Sequence, residues 1–358
     1  MIRLLLAALT ASVGMIGMIA IVLIGLPFWV VAMTTRALAR VLEPRWLPAR
    51  TFTEYEPLIG WKGRSNVDAH HHLDDVFHVT TDVEGWRGQT TLESSDIVVL
   101  GDSFAWGYGI DDAHFFANVV TPGLTVKTVG VMGYNLAQEF LWLERLAPRL
   151  RGKLVVWLVY LGNDLIDTLL PHKQGYTMPF MRRLDGAGTW EIVTSHVRPA
   201  KWVHTGRYGR IYYETLAKYC TPSTQARREY SATESLFGRA KRVCEGAGAR
   251  LVVVTIPDKA QLSPSGHQLL MRHRHDGEGL DPDLPDREIR MICDRLGIAF
   301  VAGTSWLDAA DYKELDVHWN EKGHRRVAEL LTDLYRRNPP AAGAGAANGG
   351  RASVGDGD

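Results

Sequence analysis

The sequence is poor in cysteine and carries no excess of charge of either sign. Its 358 residues include three cysteines, Cys220, Cys244 and Cys293. None has the Cys-x-x-Cys spacing, which argues against a disulfide framework or a zinc knuckle and leaves room for one disulfide at most. Forty Lys and Arg residues balance forty Asp and Glu residues, so nothing global points to nucleic acid. No internal repeat is found. A full Gly-x-Gly-x-x-Gly arrangement is also missing, since Gly107-Tyr108-Gly109 and Gly130-x-x-Gly133 are only fragments of it. His70-His71-His72 is the one dense run of potential metal ligands. Consecutive histidines on an extended chain point to opposite faces, so a solvated loop is expected there rather than a metal site. The same holds for His273-Arg274-His275. No metal or cofactor is expected.

Charge is absent altogether from residues 4–35. An uncharged stretch longer than about 20 residues reads as a transmembrane helix. A convincing small-residue cleavage site is lacking, so residues 1–35 are expected to stay as a membrane anchor. Its excess length suggests tilt or a kink at Pro27. Arg36, Arg40, Arg45 and Arg50 follow the segment, and the basic count alone would leave the rest of the chain in the cytoplasm. Residues 36–95 read as a juxtamembrane segment and an N-terminal extension of short strands and loops, with Tyr55, Gly60-Trp61, Phe77 and Gly85-Trp86 packing on the main domain.

Beyond residue 95, apolar runs alternate with helical patterns. Asp96–Leu100, Leu124–Val129, Leu154–Tyr160, Leu251–Ile256 and Ile298–Val301 read as five strands. Helical patterns cover 134–150, 234–248, 285–297 and 321–335, and another is expected from about Asp111. Continuous apolar strands between helices mean an α/β fold, a mainly parallel five-stranded sheet covered on both faces. Right-handed crossovers put every strand's carboxyl end on one edge. Residues 171–233 interrupt the alternation as an insertion beside that edge. The Ala/Gly-rich tail, 337–358, has no apolar period and is expected to be disordered.

Chemistry-bearing groups follow the strands. Gly101-Asp102-Ser103 ends the first strand, Gly133 follows the second, Gly162-Asn163-Asp164 the third, and Asp316-Val317-His318 precedes the last helix. Ser103 can act as a nucleophile if a base activates it, and His318 can be that base. Asp316 can orient the imidazole, with Asp311 or a backbone carbonyl as the fallback and His324 as a weaker base. The N–H groups of Ser103 and Gly133 and the amide of Asn163 are suited to meet an oxyanion. Serine is also a favoured N-cap, so the plain alternative is that Ser103 only starts a helix. Asp102 and Asp164 read as turn and cap residues.

In order and spacing, these blocks resemble the SGNH/GDSL hydrolases over about residues 96–336. The resemblance implies a flavodoxin-like three-layer α/β/α sandwich and metal-free hydrolysis of esters or thioesters. It implies Ser103 as nucleophile, His318 as base, and Gly133 and Asn163 as oxyanion donors. The family's last block is usually Asp-x-x-His, whereas here Leu315 holds the usual acid position and Asp316 is one residue nearer. The implied substrate is an ester-bearing carbohydrate or lipid, and the family's membrane-attached members lean toward the cell envelope rather than the cytoplasm. An O-acyltransferase acting on an envelope carbohydrate, or a non-enzymatic carbohydrate-binding domain, are the alternatives.

Overall fold

A computed structural model describes residues 51–72, 75–173, 176–184, 188–198, 208–222, 226–274 and 279–338, and positions 27, 30, 31, 33 and 34. Those five positions are helical, and the Thr34 hydroxyl donates to the Val30 carbonyl at 2.7 Å. The rest of the expected anchor, residues 36–50 and the tail beyond 338 lie outside the described residues. No described helix is long and apolar enough to cross a membrane. Residues from Thr51 onward fall in one unit.

That unit opens with two antiparallel hairpins, β1 (Thr53–Glu56) with β2 (Gly60–Gly63), and β3 (Asp68–His72) with β4 (Val76–Thr80). The second hairpin corrects one expectation. His70–His72 is a strand rather than a solvated loop, because alternation sends His71 inward to stack on Phe77 (4.7 Å between ring centroids) and leaves His70 and His72 outside. Three core strands follow, β5 (Ile97–Gly101), β6 (Val126–Gly130) and β7 (Leu154–Tyr160). Small hairpins β8 (His172–Lys173) with β9 (Tyr176–Thr177) and β10 (Phe180–Arg183) with β11 (Trp190–Val193) lie in the insertion. The core resumes with β12 (Arg250–Ile256) and β13 (Ala299–Val301).

The sheet runs β6-β5-β7-β12-β13, and every pair in it is parallel. Counted along the chain this is the order 2-1-3-4-5, the doubly wound arrangement whose order reverses beside its first strand. Alternate residues of each strand enter different cores. Val98, Leu100, Val155, Trp157 and Val253 pack with helices Leu136–Leu146, Arg227–Ala247 and Leu284–Leu296. Ile97, Val99, Val156, Leu158 and Val254 pack on the other face with helix Glu321–Arg337, through Val327 and Leu331. Burial on both faces is why the strands read as unbroken apolar runs.

Two helix boundaries differ from expectation. The helix expected from Asp111 is absent: a four-residue helix, Ser103–Trp106, starts at the strand's end, and residues 112–114 form a single tight turn. Gly107 closes the short helix in a left-handed conformation (φ 75°). The buried Arg87 guanidinium then takes the Trp106 carbonyl at 3.1 Å and the Ile110 carbonyl at 2.5 Å, and pairs with Asp112 at 2.8 Å. Those carbonyls thereby have partners without a helix. In the insertion, helix Arg227–Ala247 begins earlier than the expected 234, because its buried face extends back through Thr233, Ala232 and Glu229. The three cysteines are buried free thiols, with no disulfide.

Candidate active site

β5 lies between β6 and β7, so the turns after these three strands stand side by side. Gly101 and Gly130 face each other in register, and the Ser103–Trp106 helix starts directly against them. A Cβ on Gly101 would stand 2.9 Å from the Ala105 Cβ, and one on Gly130 2.4 Å from the Gly101 carbonyl oxygen. Two glycines are therefore what lets the helix begin this close to the sheet. Asp102, not Ser103, caps it: the carboxylate accepts the Phe104 N–H at 2.9 Å. The Ser103 hydroxyl is thus left free of capping duty.

That hydroxyl lies 2.7 Å from Nε2 of His318. Nδ1 of His318 lies 2.5 Å from Asp316 Oδ1, and the same oxygen accepts the His318 backbone N–H at 2.7 Å. The two-residue spacing therefore lets one carboxylate oxygen hold both ring and backbone of the histidine. With Nδ1–H donated to Asp316, Nε2 is left to accept the serine proton. Burial opposes ionisation of Asp316. The His318 ring hydrogen bond, its charge and its backbone N–H outweigh that and hold the carboxyl below the ordinary range. The ring lies between Phe104 and Tyr108, whose centroids are 4.9 Å and 4.7 Å from its own.

β13 ends well before this loop. The chain returns through turns Gly303–Ser305 and Ala309–Asp311 into a loop closed by the Tyr312–Trp319 bridge. The Tyr312 hydroxyl donates to the Pro257 carbonyl at 2.6 Å, and buried Trp319 packs edge-on under Phe104. Lys259 donates to the carbonyls of Lys313 and Glu314 at 2.7 Å and 2.9 Å. The loop is held at both ends. A cleft of about 650 Å³ opens beside Asp316, with Asp75, Tyr108, Lys313 and Leu315 among its walls.

The fallback residues lie elsewhere in the scheme. Asp311 is buried and pairs with Lys322 at 2.9 Å and Arg326 at 3.3 Å. His324 is buried against Phe116 and accepts the Phe116 N–H through Nδ1 at 3.3 Å. Burial holds that imidazole well below its ordinary range, with Arg87 adding to the effect, so it stays neutral and structural.

Gly133 is the third residue of a turn closed by the Tyr134 N–H on the Val131 carbonyl at 3.2 Å. Its φ of 78° is what that position of a type II turn requires. Among the described residues, the N–H groups of Ser103 and Gly133 have no acceptor. Asn163 follows β7, and its amide donates to the Asp167 carboxylate at 2.9 Å. Lys173 pairs with the same Asp167 oxygen. Asp164 turns back to accept the Tyr160 N–H at 2.7 Å.

Sequence reasoning passed over several neighbours of this site. Asp167 was legible in principle, since Asn163 and Asp167 stand four apart, a spacing that brings side chains together on a helix. Tyr160 and Tyr212 share the carboxylate of Asp258, where Tyr160 donates at 2.6 Å, and so tie the insertion to the ends of β7 and β12. At and around the Gly101–Ser103 turn lie three buried carboxyls, Asp102, Glu139 and Asp164. Burial pushes all three up, and nearby acids push each of them further. No described group of three or more His, Cys, Asp or Glu is arranged to hold a metal ion.

No family model and no curated protein matches the chain. Solved structures do. One described as an arylesterase from Agrobacterium tumefaciens is 15% identical with a TM-score of 0.39, covering 68% of this chain and 99% of its own. The inhibitor-bound aryl esterase of M. smegmatis is 12% identical with a TM-score of 0.39, covering 68% and 99%. A carbohydrate acetylesterase from Sinorhizobium meliloti is 11% identical with a TM-score of 0.38, again covering 68% and 99%. Identities and scores at this level leave the site's own geometry as the basis for a function.

Proposed function

We propose that this protein is a serine esterase of the SGNH/GDSL type that cleaves acyl esters through an acyl-serine intermediate. The hydrogen-bonded chain Ser103–His318–Asp316 carries this reading. In it, Nε2 of His318 takes the serine proton as Oγ attacks the ester carbonyl. The carbonyl π electrons move to oxygen. Asp316 stabilises the imidazolium by its charge. The N–H groups of Ser103 and Gly133 and the Asn163 amide receive the oxyanion, and such donors are worth about 3–4 kcal/mol each in comparable enzymes. Collapse of the tetrahedral intermediate expels the alcohol, which takes the proton from His318. Water then attacks the acyl-serine, with His318 again as base, and releases the acid.

The uncharged stretch 4–35 supports a membrane anchor in this reading, with the catalytic unit tethered at the surface. The substrate is an ester-bearing carbohydrate or lipid. The test is a panel of p-nitrophenyl esters of increasing chain length, followed by single-turnover assays with and without a sugar acceptor. Release of free acid supports hydrolysis. Stoichiometric appearance of acylated sugar would make the protein an acyltransferase, and no turnover of any ester would remove the enzyme reading.

A further inference from the structure

We infer that Trp61, on the N-terminal hairpin, is a positioning residue that locks the Gly133 peptide with its N–H turned toward the oxyanion. The inference rests on the proposed esterase reading and adds a residue outside its catalytic blocks. The peptide in question joins Met132 to Gly133, the two central residues of the Val131–Tyr134 turn. This is the peptide that reverses when a type II turn becomes type I. A side-chain-bearing third residue would disfavour the type II form, which needs φ > 0 there. Glycine permits both, so the chain's own sterics do not choose the direction of the Gly133 N–H.

Trp61 makes that choice. Its indole Nε1–H donates to the Met132 carbonyl at 3.0 Å. Across a trans peptide the carbonyl and the N–H point in opposite directions, so fixing the Met132 oxygen fixes the Gly133 hydrogen. Its Cζ2 would lie 3.7 Å from a Cβ on Gly133, so the indole covers the same turn. The grip is reciprocal. The Tyr134 hydroxyl donates to the Trp61 carbonyl at 2.7 Å, and the Trp142 Nε1–H donates to that hydroxyl at 3.0 Å. Gln138 holds the adjoining Ile59 carbonyl at 2.7 Å. A donor on its carbonyl also polarises the peptide and strengthens its N–H as a donor in turn.

Trp61→Phe keeps an aromatic ring and deletes the N–H. A second form, with 3-benzothienylalanine in place of Trp61, puts sulfur where the N–H stood at nearly the same volume and covers the case in which the phenylalanine variant folds poorly. Both are measured for kcat, KM, thermal midpoint and inhibition by an alkylboronic acid, whose serine adduct places an oxygen in the oxyanion position. The expected result is a fall in kcat of about tenfold and a matching loss of boronate affinity, smaller than the loss of a whole donor, with KM unchanged. Unchanged kcat and boronate affinity in both forms, beside an active wild type, would overturn the role of Trp61 and leave the esterase reading standing. A wild type that neither turns over esters nor reacts at Ser103 with a fluorophosphonate would overturn both.

Discussion

The imidazole Nε2 of His318 stands 2.7 Å from the Ser103 hydroxyl oxygen, although 215 residues separate them in the chain. That contact crosses from the end of the first core strand to a loop just before the last helix. Ser103→Ala deletes one oxygen and little else. Turnover of p-nitrophenyl acetate is expected to fall by about a thousandfold or more, with the thermal midpoint unmoved. Retained turnover would mean that another group attacks the ester.

In the proposed mechanism Asp316, 2.5 Å from Nδ1 of His318, sets the tautomer of that ring. Asp316→Asn offers an amide where Nδ1–H needs an acceptor, and the ring is then free to turn its proton toward the serine. The expected loss in kcat is about a thousandfold to ten-thousandfold, with KM little changed. Asp311→Asn should behave in the opposite way. It weakens the pairs with Lys322 and Arg326, so stability falls while kcat per folded molecule stays near wild type.

Asn163→Ala removes the side-chain amide that the proposed mechanism uses as an oxyanion donor. A loss of about a hundredfold in kcat is expected, concentrated in kcat rather than KM because the oxyanion exists only beyond the ground state. An equal rise in KM with kcat intact would assign Asn163 to substrate binding instead.

Glu139 provides a test by pH. Its side chain is wholly buried and accepts the Trp157 Nε1–H at 2.6 Å. Burial, with the Asp102 charge adding to it, raises its folded-state pKa well above the ordinary value. The folded protein therefore holds a proton that the unfolded chain has already released. The stabilisation is full below the unfolded carboxylate range and is lost as pH climbs through the raised folded value. Glu139→Gln cannot ionise and still accepts from Trp157. Its thermal midpoint, compared with wild type, should gain as pH rises above the ordinary carboxylate range. A difference that does not change with pH would show that Glu139 is not protonated in the fold.

The parts of the fold that were readable without coordinates are those governed by local pattern. Leu154–Tyr160 appears as a strand over the expected residues because both of its faces are buried. The second strand is shifted, from an expected 124–129 to Val126–Gly130, since Thr125 is drawn into hydrogen bonds with Asp96, its hydroxyl donating at 2.7 Å. The expected helix at Asp111 failed for a similar reason. Its first two residues are drawn to β4 instead, where the Asp111 and Asp112 carboxylates accept the His78 and Thr80 N–H groups at 2.7 Å each. Ser103, His318 and Asp316 could be named because nucleophile, base and orienting acid have restricted chemistries, and the structure brings these three together. Trp61 could not be ranked the same way, whereas Asp167 was within reach of the i, i+4 spacing to Asn163. The importance of Trp61 lies in which oxygen it touches, and the Trp61–Met132 contact spans 71 residues. No local periodicity encodes a contact of that reach.

The most direct measurement is the site of covalent labelling by a fluorophosphonate, read by mass spectrometry of a tryptic digest of the full chain. One adduct, on Ser103, is expected in the wild type, with labelling slowed by several orders of magnitude in a folded His318→Ala variant. A wild type labelled on a different serine, or a Ser103 that reacts as fast without His318 as with it, would contradict the proposed triad.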